Sequence, residues 1–153
     1  MRAFELNFAW ISNQAPMKKK PWDGVLKAHF DSAICIQRDP FRRDLEIAGS
    51  EDCLYLNVYS PEVVRESLPV MVFFHGGGLM CGSGVKEFYG PDYLLEHDVV
   101  YIGANFRLGP LGFLSTGQED ARGNFGLKDQ VQVLRWIKEN VAAFGKVRRQ
   151  FYF

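Results

Sequence analysis

The chain has 153 residues, 47% hydrophobic and 14% aromatic, enough material for one domain with a core of its own. Its 18 basic and 18 acidic residues cancel, which argues against nucleic acid or an anionic membrane as partner. No apolar run approaches membrane-spanning length, and there are no internal repeats or low-complexity stretches.

At the start of the chain no signal peptide is visible, because Phe8 to Ile11 is too short for an apolar core and Glu5 interrupts it. Lys18 to Lys20, and Arg148 with Arg149, are short basic clusters that read as solvated surface. Cys35 and Cys53 flank a hydrophilic stretch, QRDPFRRDLEIAGSED, of a size that a disulfide closes comfortably. Such a crosslink contributes about 3 kcal/mol on the loop-entropy argument, though two free buried thiols fit the spacing equally well. Leu54, Leu56 and Val58 alternate with Tyr55, Asn57 and Tyr59, the pattern of a strand with one buried face.

Val70 to Phe74 is β-branched and aromatic with no charge, and predicts a strand buried on both faces. It stops at His75 and opens into Gly76, Gly77 and Gly78, where the backbone can turn sharply and approach a ligand with no Cβ in the way. Taken alone, such a triplet reads first as a tight turn. Two backbone N–H groups held in place there would form an oxyanion hole, each donor contributing about 2.7–4 kcal/mol to a transition state. Cys81, beside the loop, reads as a small apolar filler. A helical turn is expected at Asp92–Glu96, with His97 solvated, before a second buried strand at Asp98–Phe106. Leu127, Val131, Leu134, Ile137, Val141 and Phe144 recur at helical spacing and predict an amphipathic helix over Leu127–Ala143. Asn124 and Gly126 are its start signals and Gly145 its stop. Strands first, then strand–helix–strand–helix, is the entry into a mixed sheet with helices on its faces.

Four blocks in order, Ser50–Pro61 (SEDCLYLNVYSP), His75–Gly78 (HGGG), Asn105–Phe113 (NFRLGPLGF) and Gly123–Gln130 (GNFGLKDQ), resemble the carboxylesterase type-B (cholinesterase-like) family of α/β-hydrolases. The details are most similar to insect esterases, and the resemblance covers roughly 15–145. It implies the N-terminal portion of an α/β-hydrolase mixed sheet, truncated before the nucleophile strand. It further implies that Gly77 and Gly78 are the oxyanion donors, that His75 and Gly76 support that loop, and that Leu79 and Met80 line the acyl pocket. Cys35 and Cys53 would be disulfide-bonded, placing the parent in a secretory compartment. Arg107 and Asp129 would form a structural ion pair. No cofactor or metal is implied, and the expected partner of the parent is a small-molecule ester. True cholinesterases carry a tryptophan in the loop between the matching cysteines; here Phe41 is its only aromatic, so a choline ester is disfavoured.

An esterase of this type needs a nucleophile in G-x-S-x-G, then an acid and a histidine. Ser83 comes closest, in Cys81-Gly82-Ser83-Gly84-Val85, but the outer glycines are absent, and Ser115 fails at the first position. His29, His75 and His97 do not occupy the place of the family's base. Residues 1–14 match the family poorly, and the resemblance stops abruptly after Gly145. That break suggests an aberrant tail over 146–153, such as translated intron, since Lys-Val-Arg can be encoded across a splice donor. Without the nucleophile strand, the edge of Val70–Phe74 would lie open and the chain would be marginal or insoluble. The expected function is a fragment of a serine carboxylic-ester hydrolase with the oxyanion loop but no triad. A non-catalytic adhesion module of the same fold and a non-functional splice product are the alternatives.

Overall fold

The computed structural model describes residues 2–7, 14–18, 23–24, 28, 30–40, 46–61, 67–119, 122–145 and 147–152, with 2–7 and 148–152 described as backbone only. His29, Phe41, Phe8 to Ile11, Lys19 and Lys20 lie outside the described residues. Seven strands are described: β1 (Arg2–Asn7), β2 (Gln37–Arg38), β3 (Ile47–Ala48), β4 (Tyr55–Ser60), β5 (Leu68–Phe74), β6 (Val100–Ala104) and β7 (Val147–Tyr152). The helices are α1 (Lys86–Tyr89), α2 (Gly109–Phe113) and α3 (Phe125–Asn140). Five strands form one mixed sheet in the order β1-β4-β6-β5-β7, with β2 and β3 pairing separately. β4 is antiparallel to β1 and β6, whereas β5 runs parallel to both β6 and β7.

Register explains the core. Val58, Ile102 and Val72 lie in one row across three strands, and Leu56, Ala104 and Phe74 in the next. This face joins Val133, Ile137 and Val141 in one continuous cluster with Phe106 and Leu108. Each such side chain contributes roughly 1.5–3 kcal/mol when fully buried. The opposite face carries an aromatic row, with the rings of Tyr59 and Tyr101 6.0 Å apart and those of Phe73 and Tyr89 4.8 Å apart.

The burial of two strands is exchanged relative to the sequence reading. β4, expected to be half-exposed, is buried from Leu56 to Ser60 because it sits between β1 and β6 and its second face is covered. There Tyr59 packs on Tyr101, and the Asn57 amide donates to the Gly84 carbonyl (3.3 Å). β5, expected to be buried on both faces, alternates instead: Leu68, Val70 and Val72 are buried while Met71 and Phe73 are only partly covered.

The expected open edge of β5 over Val70–Phe74 is corrected in part, at Val70 and Met71. β7 pairs with it in parallel, from Leu68↔Val147 to Met71↔Tyr152. The segment read as an aberrant tail therefore supplies ladder partners to the N-terminal part of β5, satisfying backbone groups that otherwise face water. The register shifts between Leu68 and Val70, where Pro69 has no N–H to give. Arg2–Asn7, within the poorly matching leader, likewise forms a strand on β4.

The helical turn before β6 spans Leu94–His97 rather than Asp92–Glu96, and His97 is exposed. The long helix starts at Phe125 and passes into a 3₁₀ turn at Val141–Phe144. Asn124 (φ +56°) precedes it and Gly145 (φ +150°) ends it. Its buried row is Gly126, Asp129, Val133 and Ile137, so Leu127 and Val131 are exposed, contrary to expectation.

Candidate active-site loop

The strand β5 delivers His75 to the edge of the core, and the glycine loop begins one residue later. Gly77 (φ +113°), Gly78 (φ +62°) and Leu79 (φ +61°) are successive left-handed residues. A Cβ on Gly77 would lie 2.0 Å from the Cys81 carbonyl oxygen, so only glycine fits. The turn is closed by the amides of Met80 and Cys81, which donate to the Gly77 carbonyl at 3.1 and 3.2 Å. Among the described residues, the amides of Gly77 and Gly78 donate to no backbone carbonyl. The loop itself is exposed at 76–80.

Leu79 was not singled out by sequence reasoning as a backbone position. A leucine in the left-handed region costs about 1–2 kcal/mol, and the Gly109 amide holds it there by donating to the Leu79 carbonyl (2.8 Å). Strain of this kind gathers at functional loops. The side chains of Leu79 and Met80 stand exposed, and neither is among the residues lining the cavity described next.

That cavity, of about 700 Å³, opens beside the loop and is walled by Gly76 and Gly77, by Gln37 of the cysteine-flanked segment, and by Val85, Phe88 and Tyr89. Asp39, Glu46 and Glu87 also line it. Cys81 borders it with its thiol 3.6 Å from the Gly77 carbonyl oxygen. Burial, and after it the Asp39 carboxylate, pushes that thiol's pKa up, which disfavours the thiolate.

His75 is buried and its ring stacks on Phe106 at 4.5 Å between centroids. Its Nδ1 lies 2.8 Å from the Gly76 carbonyl oxygen. A carbonyl only accepts, so Nδ1 carries the hydrogen and Nε2 is a bare lone pair. Nε2 is buried with no hydrogen-bond partner among the described residues. Burial pushes the imidazole pKa down, opposed by the bond to Gly76. The ring is enclosed between Phe106 and the loop's exit: a Cβ on Gly82 would lie 2.3 Å from Nδ1.

Beneath the loop, Arg107 and Asp129 meet. Arg107 Nη2 and Nε donate to the two carboxylate oxygens at 2.6 and 2.8 Å, and the Arg107 backbone amide adds a third bond at 3.0 Å. Both side chains are almost fully buried. A Cβ on Gly112 or Gly126 would fall 2.3 or 2.5 Å from the Arg107 carbonyl oxygen, so α2 and α3 close onto this residue from both sides. Cys35 and Cys53 are disulfide-bonded, with Cα atoms 4.7 Å apart. Of the two serines weighed in sequence, Ser83 is buried on the cavity wall and Ser115 is exposed. Among the described residues no cluster of His, Cys, Asp and Glu could hold a metal ion, and no helix is long and apolar enough to cross a membrane.

Residues 13–146 match the carboxylesterase family profile, spanning the disulfide, the glycine loop and α3. The chain belongs to the carboxylesterase family. Among curated carboxylesterase relatives, it is 46% identical over 133 residues to juvenile hormone esterase of Tribolium castaneum, covering 86% of this chain and 23% of that protein. It is also 46% identical over 136 residues to esterase E4 of Myzus persicae, covering 85% and 24%. Among solved structures, a thermophilic PNB esterase superposes with a TM-score of 0.81 at 35% identity, over 92% of this chain and 30% of that one. Juvenile hormone esterase of Manduca sexta, with OTFP covalently attached, gives 0.79 at 36%, over 90% and 27%. The fold is that of the α/β-hydrolases. The chain spans about a quarter of the length of the curated carboxylesterases it matches.

Proposed function

We propose that this chain is the portion of a serine carboxylic-ester hydrolase that carries the oxyanion-hole loop, with Gly77 and Gly78 as donors and no nucleophile, acid or base of its own. The observation that carries the reading is the pair of loop amides. They sit on left-handed backbone, in a turn held at both ends, and donate to no backbone carbonyl among the described residues. Free N–H groups that are already oriented stabilise a developing oxyanion without reorganising, which is where most of their catalytic value lies.

In the whole enzyme the substrate would be a small ester whose tetrahedral intermediate places its negative oxygen against these amides. Gly76 and His75 hold the loop, the buried imidazole through its bond to the Gly76 carbonyl and its stacking on Phe106. Leu79 and Met80, exposed here, would face the acyl group once the rest of the hydrolase covers them. The Arg107–Asp129 pair fixes the floor. The Cys35–Cys53 disulfide supports folding of the parent in an oxidising, secretory compartment.

The test uses two measurements on the purified chain. Incubation with a short-chain aryl ester should give no turnover and no labelling by a serine-directed phosphylating agent. Turnover that such an agent abolishes would overturn the absence of a nucleophile. Titration with butyrate, whose carboxylate presents an oxyanion, should shift the amide resonances of Gly77 and Gly78. Unmoved resonances at saturating butyrate would overturn the oxyanion assignment.

A further inference from the structure

Resting on that reading of Gly77 and Gly78, we propose that Gln37 and Asn105 are positioning residues of the oxyanion loop, and that they transmit to it the rigidity of the Cys35–Cys53 disulfide. Neither residue belongs to the reacting set. Each is a buried carboxamide that bridges one half of the disulfide to one end of the loop's exit.

Gln37 Nε2 donates to the Cys35 carbonyl (3.0 Å) and to the Gly82 carbonyl (2.9 Å), while its Oε1 accepts the Gly82 amide (2.6 Å). The side chain thus pairs with Gly82 as a neighbouring strand would. Asn105, just past the end of β6, does the same for the other cysteine. Its Nδ2 donates to the Cys53 carbonyl (3.1 Å) and the Ala33 carbonyl (3.2 Å), and its Oδ1 accepts the Gly84 amide (2.8 Å). The two cysteine carbonyls are held in register by the covalent bond between their side chains. Gly82 and Gly84 are therefore referenced to one rigid body.

The chemistry required is narrow. Both positions are buried, so a charged side chain would bear a desolvation cost, and an apolar one would leave buried backbone groups unpaired. A carboxamide supplies two N–H donors and a separate acceptor oxygen without net charge, the set that each position uses. The path from the clamp to the cradle is short. Gly82 follows Cys81, whose amide closes the turn on the Gly77 carbonyl, and Gly82 also lies against the His75 ring. With β5 fixing the entry of the loop and the two carboxamides fixing its exit, the amides of Gly77 and Gly78 have one orientation.

The experiment uses the full chain labelled with ¹⁵N-glycine, compared with Gln37→Met, Gln37→Glu and a Cys35→Ala/Cys53→Ala double variant. In Gln37→Met, which keeps length without polarity, the Gly82 amide should exchange roughly tenfold faster. The Gly77 and Gly78 resonances should shift, while Gly112 and Gly126, packed on Arg107, stay in place. Gln37→Glu keeps the acceptor for the Gly82 amide but loses both donor contacts and buries a charge, so it should also speed that exchange, by roughly tenfold or more. The disulfide-free variant should move the same three loop glycines. Native-like Gly82 exchange in both Gln37→Met and Gln37→Glu would reduce Gln37 to a space-filling role and overturn the proposal. So would unmoved Gly77 and Gly78 in both the Gln37→Met and disulfide-free chains, or shifts that spread equally to Gly112 and Gly126. The butyrate titration of the native chain separates the two ideas: silent Gly77 and Gly78 there, with the variant effects intact, remove the oxyanion role and leave the clamp.

Discussion

Replacing Asp129 with alanine removes the counter-charge and three acceptor contacts from Arg107, which is left buried. Breaking a buried pair on one side costs about 3–5 kcal/mol, because the remaining charge loses its counter-ion while staying out of water. Set against a total stability of roughly 5–15 kcal/mol for a domain, that is a large fraction. For a chain of this size it lowers Tm by roughly 6–20 °C. The double variant Arg107→Leu/Asp129→Leu is the informative control. It removes both charges and leaves the Arg107 backbone amide without its Asp129 acceptor, a residual cost of about 1–3 kcal/mol. Urea unfolding followed by Trp136, which packs on Phe144 at 5.8 Å between ring centroids in the same helical segment, reads both. A single-variant cost below about 1 kcal/mol, or a double variant as damaged as the single, would refute the argument from stranded charge.

Other perturbations test the loop and the sheet. Gly82→Ala places a methyl group 2.3 Å from His75 Nδ1 at φ +114°, so it should cost at least about 2 kcal/mol in urea unfolding, and a neutral effect would deny that the imidazole props the loop. Because burial holds the His75 pKa below its ordinary 6.5, the unfolded chain binds a proton that the folded chain refuses. The His75 contribution to stability is therefore complete above pH 6.5 and is lost as pH falls below it. His75→Phe should flatten the fall in urea midpoint between pH 7.5 and 5.5, and an unchanged slope would assign that fall to other groups. Deleting 146–153 uncovers the β5 backbone from Leu68 to Met71 and should produce concentration-dependent light scattering. A monodisperse truncated chain would show that β7 protects nothing.

The parts of the fold that sequence makes legible are those written in short-range pattern. Val70–Phe74 and the Asp98–Phe106 segment are visible as apolar runs, and the glycine loop is visible because its residues are adjacent. What covers a strand's face is not local, which is why β4 and β5 exchange their burial: the second face of β4 meets the Gly84 backbone, 27 residues on from Asn57. β1 and β7 are hidden for the same reason. On α3 the buried row passes through Asp129, a charged residue that reads as solvent-facing until Arg107 is seen beside it. Leu127 and Val131, one position off that row, take its place in a hydrophobic count. The clamp made by Gln37 and Asn105 leaves no local pattern, both being neutral amides whose loop partners lie 45 and 21 residues away in sequence.

The glycine loop leaves its turn by crossing β6 so closely that neither chain has room for a side chain. A Cβ on Gly84 would sit 2.6 Å from the Ala104 nitrogen, and one on Gly103 would sit 2.7 Å from the Gly84 carbonyl oxygen. Neither residue adopts a left-handed conformation, so the requirement is one of clearance alone. Libraries that vary the loop around Leu79 and Met80 should therefore leave positions 84 and 103 untouched: even alanine at either would lever the loop off the sheet.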